Sequence, residues 1–448
     1  MVQGIRNGKF VTPEGILTGS VTLADGKIQQ IQEQNVNNSQ YYDAKGTYVL
    51  PGLIETHGHF REPGLDYKET IADGTKAALA GGFTTVFDMP NTKPPTTTIA
   101  LLHAQVERYK QKSYCDFAIN LGSSVEHISE LEKVNPSEIV GIKVFMAGHQ
   151  TTPTTIPNLG DQARIWEIAA KRGIPVLVHA ENQQLVTARE KMFQQQGRTD
   201  MLAYSEARSE LVVEMAAWEA VILAKYYRTK LWILHASTEG EFDAIDYGRK
   251  NGIDVGGEVT GYQLFFTTDD YKKYGTLIKV SPALRPPKIN SQLWELVRNG
   301  VVDGICSEHT PHALEEKQGD IWNAVSGTPG VQETAAAFLT GWVGHFGKNS
   351  LEKGLITFAR CASTNVAMFF GFPQKSGIKV GNDADLVIVD TTHPWHVQKA
   401  DLFTKLQWSA YEGVNLIGRP IATFLRGELL YDHGKIVGNR QGKWLKKI

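Results

Sequence analysis

Eight short apolar segments, each followed by a stretch of helix-like composition, are the feature that most limits how this chain can fold. Their apolar residues are continuous rather than alternating, as in strands that are buried on both faces of a parallel sheet. The segments are residues 48–57, 83–90, 116–122, 139–147, 174–181, 231–238, 253–260 and 301–308. The helices predicted between them include 69–81, 98–112, 161–172, 205–228, 239–250 and 290–299.

Eight such units predict an α/β fold, and specifically a (β/α)8 TIM barrel. An open, doubly wound sheet is the alternative. No G-x-G-x-x-G sequence follows the first segment, so a dinucleotide-binding sheet is disfavoured.

The two ends of the chain have a different pattern, in which short apolar segments are separated by turn-forming pairs, Asn-Gly and Asp-Gly at the N-terminal end. Residues 4–11, 19–32 and 419–438 have this texture, which is typical of β-hairpins. We therefore expect the termini to pair into a small β-sandwich domain. The predicted limits are residues 1–50 and 376–448 for this domain and 51–375 for the barrel.

The composition excludes several classes of protein. A net charge of −2 gives no reason to expect a nucleic-acid partner. Cys115, Cys306 and Cys361 form no C-x-x-C pair, so neither a disulfide framework nor a cysteine metal site is expected. Neither a signal-like N-terminus nor a membrane-spanning apolar run is present. We therefore expect a cytoplasmic protein without a membrane partner.

Polar residues follow the predicted strands at the end where a barrel carries its chemistry. Imidazoles and carboxylates are ligands that Zn²⁺ and similar metals take. Any one of the histidines alone could be a buried core residue, but several at separate strand ends of one barrel favour a metal site. The residues at these ends are His57, His59, Asn91, Lys143, His179, His235, Glu308, His309 and His312.

Lys143 is unusual in such a set, because a free lysine is a cation with a pKa near 10.4. One interpretation is an ion pair with a neighbouring carboxylate. The other is a carbamate, formed when the neutral amine adds carbon dioxide. A carbamate is an anion, and its two oxygens could bridge two metal ions.

Three segments of the sequence resemble the dihydroorotases of the amidohydrolase superfamily. They are residues 57–64 (HGHFREPG), 68–95 (KETIADGTKAALAGGFTTVFDMPNTKPP) and 307–317 (SEHTPHALEEK). The related allantoinases and hydantoinases share the fold and metals, but they usually lack the arginine of the first segment. The resemblance extends over nearly the whole chain.

The resemblance implies a pair of metal ions, with a hydroxide between them that attacks the carbonyl of a cyclic amide. Zinc is expected, with Mn²⁺, Co²⁺ or Fe²⁺ as alternatives. Glu308 would be the general base and acid. The implied metal ligands are His57, His59, Lys143 as its carbamate, His179, His235 and Glu308. The implied substrate-binding residues are Arg61, Asn91, Arg285 and His312.

Arg61 and Asn91 have structural alternatives. Arg61 could form a salt bridge with Glu62 or Asp66 that fixes the loop, and Asn91 could be a turn residue before the prolines. If Arg61 is free, its planar guanidinium matches a carboxylate, so the ligand would be a small anion.

Three segments depart from the family pattern. Glu308 stands where the family has aspartate, so its carboxylate reaches further by about 1.5 Å. Gly261, Tyr262 and Gln263 replace the usual P-H-H, and Ser281 replaces an asparagine. We expect the longer acid to reduce or reorganise the activity rather than abolish it.

Three functions remain open at this point. The favoured one is dihydroorotase, which interconverts N-carbamoyl-L-aspartate and L-dihydroorotate in de novo pyrimidine biosynthesis. The second is an allantoinase or dihydropyrimidinase-like hydrolase. The third is a non-catalytic homologue that partners aspartate carbamoyltransferase. We also expect a homo-oligomer, either a dimer or a tetramer, and a mobile lid at residues 149–158.

Overall fold

The computed structural model describes residues 2–148, 151, 152 and 154–447. Its strands are β1 Gly4–Thr12, β2 Gly15–Ala24, β3 Lys27–Gln32, β4 Tyr41–Asp43, β5 Tyr48–Pro51, β6 Leu53–Gly58, β7 Phe83–Asp88, β8 Asp116–Ile119, β9 Leu121–Gly122, β10 Ile142–Phe145, β11 Val176–His179, β12 Leu231–Ile233, β13 Val255–Thr260, β14 Gly304–Cys306, β15 Leu386–Asp390, β16 Trp395–His396, β17 Asn415–Leu416, β18 Arg419–Leu425, β19 Glu428–Asp432 and β20 Lys435–Ile436.

The α-helices of the same residues are α1 Ile71–Ala80, α2 Ile99–Lys112, α3 Ile128–Lys133, α4 Leu159–Arg172, α5 Gln183–Gln195, α6 Met201–Ala207, α7 Glu210–Tyr227, α8 Glu239–Lys250, α9 Gly261–Phe265, α10 Tyr271–Tyr274, α11 Pro287–Arg298, α12 Thr334–Phe346, α13 Leu351–Ala359 and α14 Asn365–Phe370.

The middle of the chain forms the predicted (β/α)8 barrel. Strands β6 to β8 form one parallel run, and β9 to β14 form another. Strands β8 and β9 lie on either side of Asn120 and together occupy one strand position. The ends of β6 and β14 meet where the backbone N–H of His59 donates to the carbonyl of His309 at 2.9 Å. All the described side chains of these strands are buried, as continuous apolar segments predict.

The terminal segments form a separate sheet domain. Nine strands pair in the order β20-β19-β18-β15-β5-β1-β2-β3, with β4 on β1. The N-terminal and C-terminal parts meet where Leu50 of β5 pairs with Val387 of β15 in an antiparallel register. At the β2–β3 hairpin, Asp25 and Gly26 have φ values of 52° and 74°, as the Asp-Gly signal requires. We propose that this domain consists of residues 1–50 and 376–448, with the barrel at 51–375. The two strands that join its halves, β5 and β15, both lie outside residues 52–375.

The first apolar segment differs from the prediction in one respect. It is a single run in the sequence, but it contributes β5 to the terminal sheet and β6 to the barrel. The change occurs at Gly52, whose N–H donates to the carbonyl of Asp385 at 2.7 Å. A backbone bond to the other domain at this point ends one strand and starts the next.

Threonine side chains fix the starts of several barrel helices. Thr70, Thr98 and Thr238 each accept a hydrogen bond from the backbone N–H three residues further along. Such N-caps satisfy backbone donors that a helix leaves unpaired in its first turn. These hydrogen bonds fix the last residue of the loop that precedes each of the three helices. Among the described residues, no helix is both long enough and apolar enough to cross a membrane.

Candidate active site

Four histidines meet at the C-terminal end of the barrel. His57 lies in β6 with His59 directly after it, while His179 ends β11 and His235 follows β12. The ring of His57 lies 5.1 Å from that of His59 and 5.2 Å from that of His235. Nδ1 of His179 lies 2.9 Å from Nε2 of His235. The four predicted histidine ligands therefore form one cluster.

Buried carboxylates lie behind two of these rings. Oε2 of Glu181 is 2.8 Å from Nε2 of His179, and Oε1 of Glu258 is 3.3 Å from Nδ1 of His57. Burial alone would raise the pKa of Glu181, but Arg208 and His179 lower it to about 2. A carboxylate behind a ligating imidazole fixes the orientation of the ring and raises its basicity. This arrangement is typical of metal-binding histidines.

Lys143 is buried beside the histidine cluster. Its Nζ atom makes no hydrogen bond to any described residue and lies 4.5 Å from the centre of the Phe145 ring. Burial lowers the pKa of this amine to about 7, because a charged group is poorly solvated there. The ion-pair interpretation of Lys143 thus has no carboxylate partner within the described residues. A neutral amine is the form that can add carbon dioxide.

Glu308 reaches the cluster from the end of β14. One ligand atom each from His57, His59 and Glu308 can be chosen so that all three lie within 4.8 Å of one another. The phenolic O–H of Tyr262 donates to Oε2 of Glu308. Burial raises the pKa of the Glu308 carboxyl to about 8. The longer acid is therefore held by a tyrosine from α9.

Three residues of this site have a strained backbone conformation. Arg61, His235 and Glu308 have φ values of 63°, 40° and 49°, in the left-handed region that residues other than glycine rarely adopt. Such conformations persist only where the surrounding structure imposes them, and they cluster at functional sites.

A narrow cavity opens beside the cluster. Of the predicted lid, Thr151 lines this cavity, while residues 149, 150 and 153 lie outside the described part of the chain. The lining residues are His57, His59, Arg61, Asn91, Phe145, Thr151, His179, Ser281, Glu308, Thr310, Ser326 and Gly327.

Arg61 lines the cavity as a buried cation. Its Nε donates to the carbonyl of Pro311 at 3.2 Å, and one Nη lies 2.9 Å from Nε2 of His312. The alternative salt bridges are absent, since Glu62 pairs with Lys112 and Asp66 accepts from a backbone N–H. No carboxylate forms an ion pair with Arg61 among residues 2–148, 151, 152 and 154–447.

Asn91 shares the cavity wall with Arg61. Its Oδ1 atom is buried and makes no hydrogen bond to any described residue. An unpaired buried amide oxygen is costly, so Asn91 is suited to meet a donor on a bound molecule.

The remaining predicted residues lie further from the cavity. His312 lies behind Arg61, and its Nδ1 is 2.9 Å from Nζ of Lys68. Arg285 is bound through its guanidinium to the carbonyl of Arg208 and to the hydroxyl of Ser237. Neither His312 nor Arg285 lines the cavity, so the substrate-binding role of each stays a prediction.

The donors of this cluster fit divalent metal ions. Lys143 Nζ and His235 Nδ1 are buried without hydrogen-bond partners among the described residues. Buried polar atoms that converge without partners are suited to bind an ion, and neutral imidazoles with a carboxylate suit Zn²⁺ or similar ions.

Some residues of the site were not predicted from the sequence. In the sequence, Glu181 stands at the end of one apolar segment and Glu258 interrupts another. A carboxylate at such a position was the signal that could have indicated a role in the site. Tyr262 stood out only as a departure from the family pattern. Nothing in the sequence indicated that its phenol contacts Glu308, 46 positions away.

Comparisons with known proteins agree with this geometry. A model described as the amidohydrolase family matches residues 48–242. The chain is 32% identical over 422 residues to the dihydroorotase of Methanothermobacter thermautotrophicus, which covers 94% of this chain and 93% of that protein. The chain belongs to the amidohydrolase family.

Other amidohydrolases are about equally similar. An allantoinase of Rubrobacter xylanophilus is 33% identical over 448 residues, with 99% of this chain and 97% of that protein covered. The solved structure of the L-hydantoinase (dihydropyrimidinase) from Arthrobacter aurescens matches with a TM-score of 0.94 and 29% identity, covering 99% of each chain. These relatives identify the protein as a hydrolase of cyclic amides, but they do not single out one substrate.

Proposed function

We propose that this cyclic amidohydrolase is a dihydroorotase, which interconverts N-carbamoyl-L-aspartate and L-dihydroorotate. The observation that supports this choice is the guanidinium of Arg61, which lies in the wall of the cavity and has no carboxylate partner among the described residues. Dihydroorotate carries a carboxylate on its ring, whereas dihydrouracil is the same ring without it. A role of Arg61 in binding therefore favours the charged dihydroorotate over an uncharged ring such as dihydrouracil.

The energetics of Arg61 favour an anionic ligand. Burial lowers the pKa of its guanidinium to about 10, so the group is still a cation at neutral pH. A buried cation without a counter-charge is unfavourable, and a carboxylate could supply that charge together with hydrogen bonds to the guanidinium. A neutral ring would leave the charge of Arg61 uncompensated in the complex.

The metal ions would be held by His57, His59, His179, His235 and Glu308, with Lys143 as its carbamate. Two divalent ions, most simply Zn²⁺, would polarise the ring carbonyl and make water a stronger nucleophile. The neutral amine that a carbamate requires is supported by the low pKa of Lys143.

Glu308 is suited to move the proton of the reaction. Water adds to the ring carbonyl carbon, the carbon–nitrogen bond breaks, and the departing nitrogen must gain a proton. Glu308 accepts a proton from the water and returns it to that nitrogen. Tyr262 holds one carboxylate oxygen, which leaves the other oxygen to carry the proton.

Hydrolysis of an uncharged cyclic amide is the second candidate. The similarity to allantoinase at 33% identity and to the L-hydantoinase fold favours it. It requires that Arg61 serve only to position His312 and the Pro311 loop.

The decisive experiment is ring opening by the metal-loaded protein, with L-dihydroorotate, dihydrouracil and allantoin assayed in parallel. We expect dihydroorotate to be the preferred substrate. Arg61→Met should raise the KM for dihydroorotate by about 10²-fold, the effect of removing a charge-assisted pair. The same substitution should change the KM for dihydrouracil far less.

Preferred turnover of an uncharged ring would contradict the proposal and support the second candidate. Absence of any turnover, with two metal ions bound per chain, would support a non-catalytic homologue. Co-purification with aspartate carbamoyltransferase would then be the measurement to make.

A further inference from the structure

His312 is contacted on both of its ring nitrogens by side chains that ordinarily carry a positive charge. One Nη of Arg61 lies 2.9 Å from Nε2, and Nζ of Lys68 lies 2.9 Å from Nδ1. All three side chains are buried. A neutral imidazole has one N–H and one lone pair, so it can accept a hydrogen bond from only one of these two neighbours.

One arrangement of protons on the neutral imidazole satisfies both contacts. The guanidinium of Arg61 has donors and no acceptor, and it keeps its charge in proteins, so Nε2 of His312 must be the acceptor. The imidazole proton then lies on Nδ1 and points at Nζ of Lys68. An ammonium cannot accept a hydrogen bond, whereas a neutral amine can. This pattern therefore requires Lys68 to be an uncharged amine.

The surroundings of His312 favour the neutral ring that this pattern requires. Burial lowers the pKa of the ring well below its usual value, and the charge of Arg61 acts in the same direction. Lys317 and, when it is charged, Lys68 also lower this pKa. Glu316, whose Oε2 lies 3.7 Å from Nδ1, opposes them. The net direction is downward, so the ring is not an imidazolium at neutral pH.

The surroundings of Lys68 favour its neutral form. Burial lowers the pKa of the amine, and the charges of Arg61 and Lys93 lower it further. Glu316 opposes this shift, with Oε1 at 2.8 Å from Nζ. A neutral amine can still donate an N–H to this carboxylate while its lone pair accepts from His312. Every contact of the group is therefore compatible with an uncharged Lys68.

A second cavity gives Lys68 a route to solvent. This cavity has a volume of about 260 Å³ and shares Asn91 and Thr151 with the cavity beside the histidine cluster. Lys68 lines the second cavity together with Tyr67, whose ring centre is 5.5 Å from Nζ, and with the exposed Lys93. A proton can therefore reach Lys68 from water without passing the histidine cluster.

We propose that Lys68 is a specificity-determining residue, which is neutral until an anionic ligand occupies the cavity and then takes up a proton. This role rests on the proposed function, because it requires a carboxylate bound at Arg61. An anion would be met by two cations, Arg61 and, behind His312, Lys68. An uncharged ring would be met by Arg61 alone. Lys68 thus adds to the preference for a charged substrate without touching it.

The change gains one proton from solution. When an N–H of Arg61 turns from His312 to the carboxylate, Nε2 of His312 is free to take a proton from water. The Nδ1 proton passes to the amine of Lys68, which becomes an ammonium and donates back to Nδ1. The imidazole stays neutral throughout. The charge of the ligand supports the new ammonium, because an opposite charge nearby favours the charged form of a group.

The test is a count of the protons taken up on binding, by isothermal titration calorimetry of the full-length, metal-loaded protein in phosphate, HEPES and Tris. The slope of the binding enthalpy against the ionisation enthalpy of the buffer gives this count. Orotate is the anionic probe, since it has the ring and carboxylate of dihydroorotate but its conjugated ring resists opening. Uracil is the uncharged counterpart. We expect orotate to take up about one proton more than uracil.

The affinity for orotate should depend on pH for the same reason. Where Lys68 is neutral in the free protein and charged in the complex, the Kd should rise by up to about tenfold per pH unit. The Kd for uracil should lack this rise. This measurement uses the wild-type protein alone, so it does not require any variant to fold.

Lys68→Met separates this proton from any that is taken up at the metal ions. Methionine cannot be protonated, so the uptake with orotate should fall by about one proton, and the Kd should lose this part of its pH dependence. Lys93→Met is the matched control, because it removes an exposed lysine from the wall of the same cavity. Its proton uptake should equal that of wild type. Thermal unfolding should show that both variants are folded.

The possible failures are distinguishable. If wild type binds orotate more tightly than uracil but takes up no additional proton, the role of Lys68 is wrong and the proposed dihydroorotase stands. Equal uptake by wild type and folded Lys68→Met would lead to the same conclusion. If orotate binds no more tightly than uracil, the proposed function fails, and the role of Lys68 fails with it.

Discussion

Two fully buried lysines at different places in the barrel show how the same residue is held as a cation in one region and favoured as a neutral amine in another. Nζ of Lys375 lies 2.6 Å from Asp116, 2.6 Å from Asp385 and 2.9 Å from Asp383. Burial opposes its charge, but the three carboxylates raise the pKa of Lys375 above its ordinary value. This cluster joins the start of β8 to the terminal sheet, and the ammonium is fully paired.

Lys143 is equally buried, but it has histidines around it and no hydrogen-bond partner among the described residues. Burial lowers its pKa to about 7. The contrast teaches that burial does not decide the state of a lysine. The three carboxylates beside Lys375 stabilise a cation, whereas the surroundings of Lys143 favour a neutral, reactive amine.

The largest effect should come from removing the reactive lysine. Lys143→Ala should lower turnover by more than about 10³-fold, because the metal-binding carbamate cannot form. Metal content, measured by atomic absorption, should fall in parallel. A short carboxylic acid such as acetate or propionate should restore part of both. Unchanged metal content would show that Lys143 has no part in metal binding.

Removing the paired lysine should affect folding instead. Lys375→Met removes the buried cation shared by the three carboxylates and leaves only Arg426 beside Asp116 and Lys27 beside Asp383, so the free energy of unfolding should fall by about 3–5 kcal/mol. Urea denaturation measures this change. Lys230→Met breaks the surface pair with Asp254 and the contact of the ammonium with the Phe369 ring, and it should cost less than about 1 kcal/mol. Equal losses in the two variants would contradict the distinction drawn here.

A smaller effect is expected at Glu308 and Tyr262. Glu308→Asp should lower kcat by about 10²-fold, since the shorter carboxylate no longer reaches the tyrosine that positions it. Tyr262→Phe should lower kcat by about tenfold. Once Glu308 is aspartate, Tyr262→Phe should have little further effect, because the two act as a unit. A rise in kcat for Glu308→Asp would mean that the longer acid is simply a poorer base.

The smallest effect is a pH dependence of the metal-free protein. The pKa of Lys143 is about 7 in the folded state and near 10.4 when unfolded. Between these values the unfolded state binds more protons, so folding stability rises with pH, by about 1 kcal/mol from pH 7 to 8. Lys143→Met should be more stable than wild type at pH 7 and should lack this part of the rise. Parallel profiles for both proteins would contradict the low pKa.

The sequence was sufficient to predict the barrel and to bring most of the candidate metal-binding residues together. Continuous apolar segments identify buried parallel strands, and a barrel gathers the residues that end them, so His57, His179 and His235 could be assigned to one cluster. The split of the first segment was not predictable, because Gly52 ends β5 through a bond to Asp385 in the other domain.

Contacts between distant positions were the other limit. Lys375 and Asp116 are 259 positions apart, and neither residue has a local pattern that indicates a partner. Arg61 shows that residues close in the sequence need not be partners either. Its nearby acids Glu62 and Asp66 were possible partners in the sequence, but local geometry directs them to Lys112 and to a backbone N–H.

The pairing of β5 with β15 has a consequence for the order in which the chain can fold during synthesis. The strand that β5 needs is made after the whole barrel, and Lys27 likewise meets Asp383, 356 positions further on. The edge of β5 therefore stays open while the ribosome completes the barrel, and an open edge can pair with other chains. The domain that emerges first is the last to close.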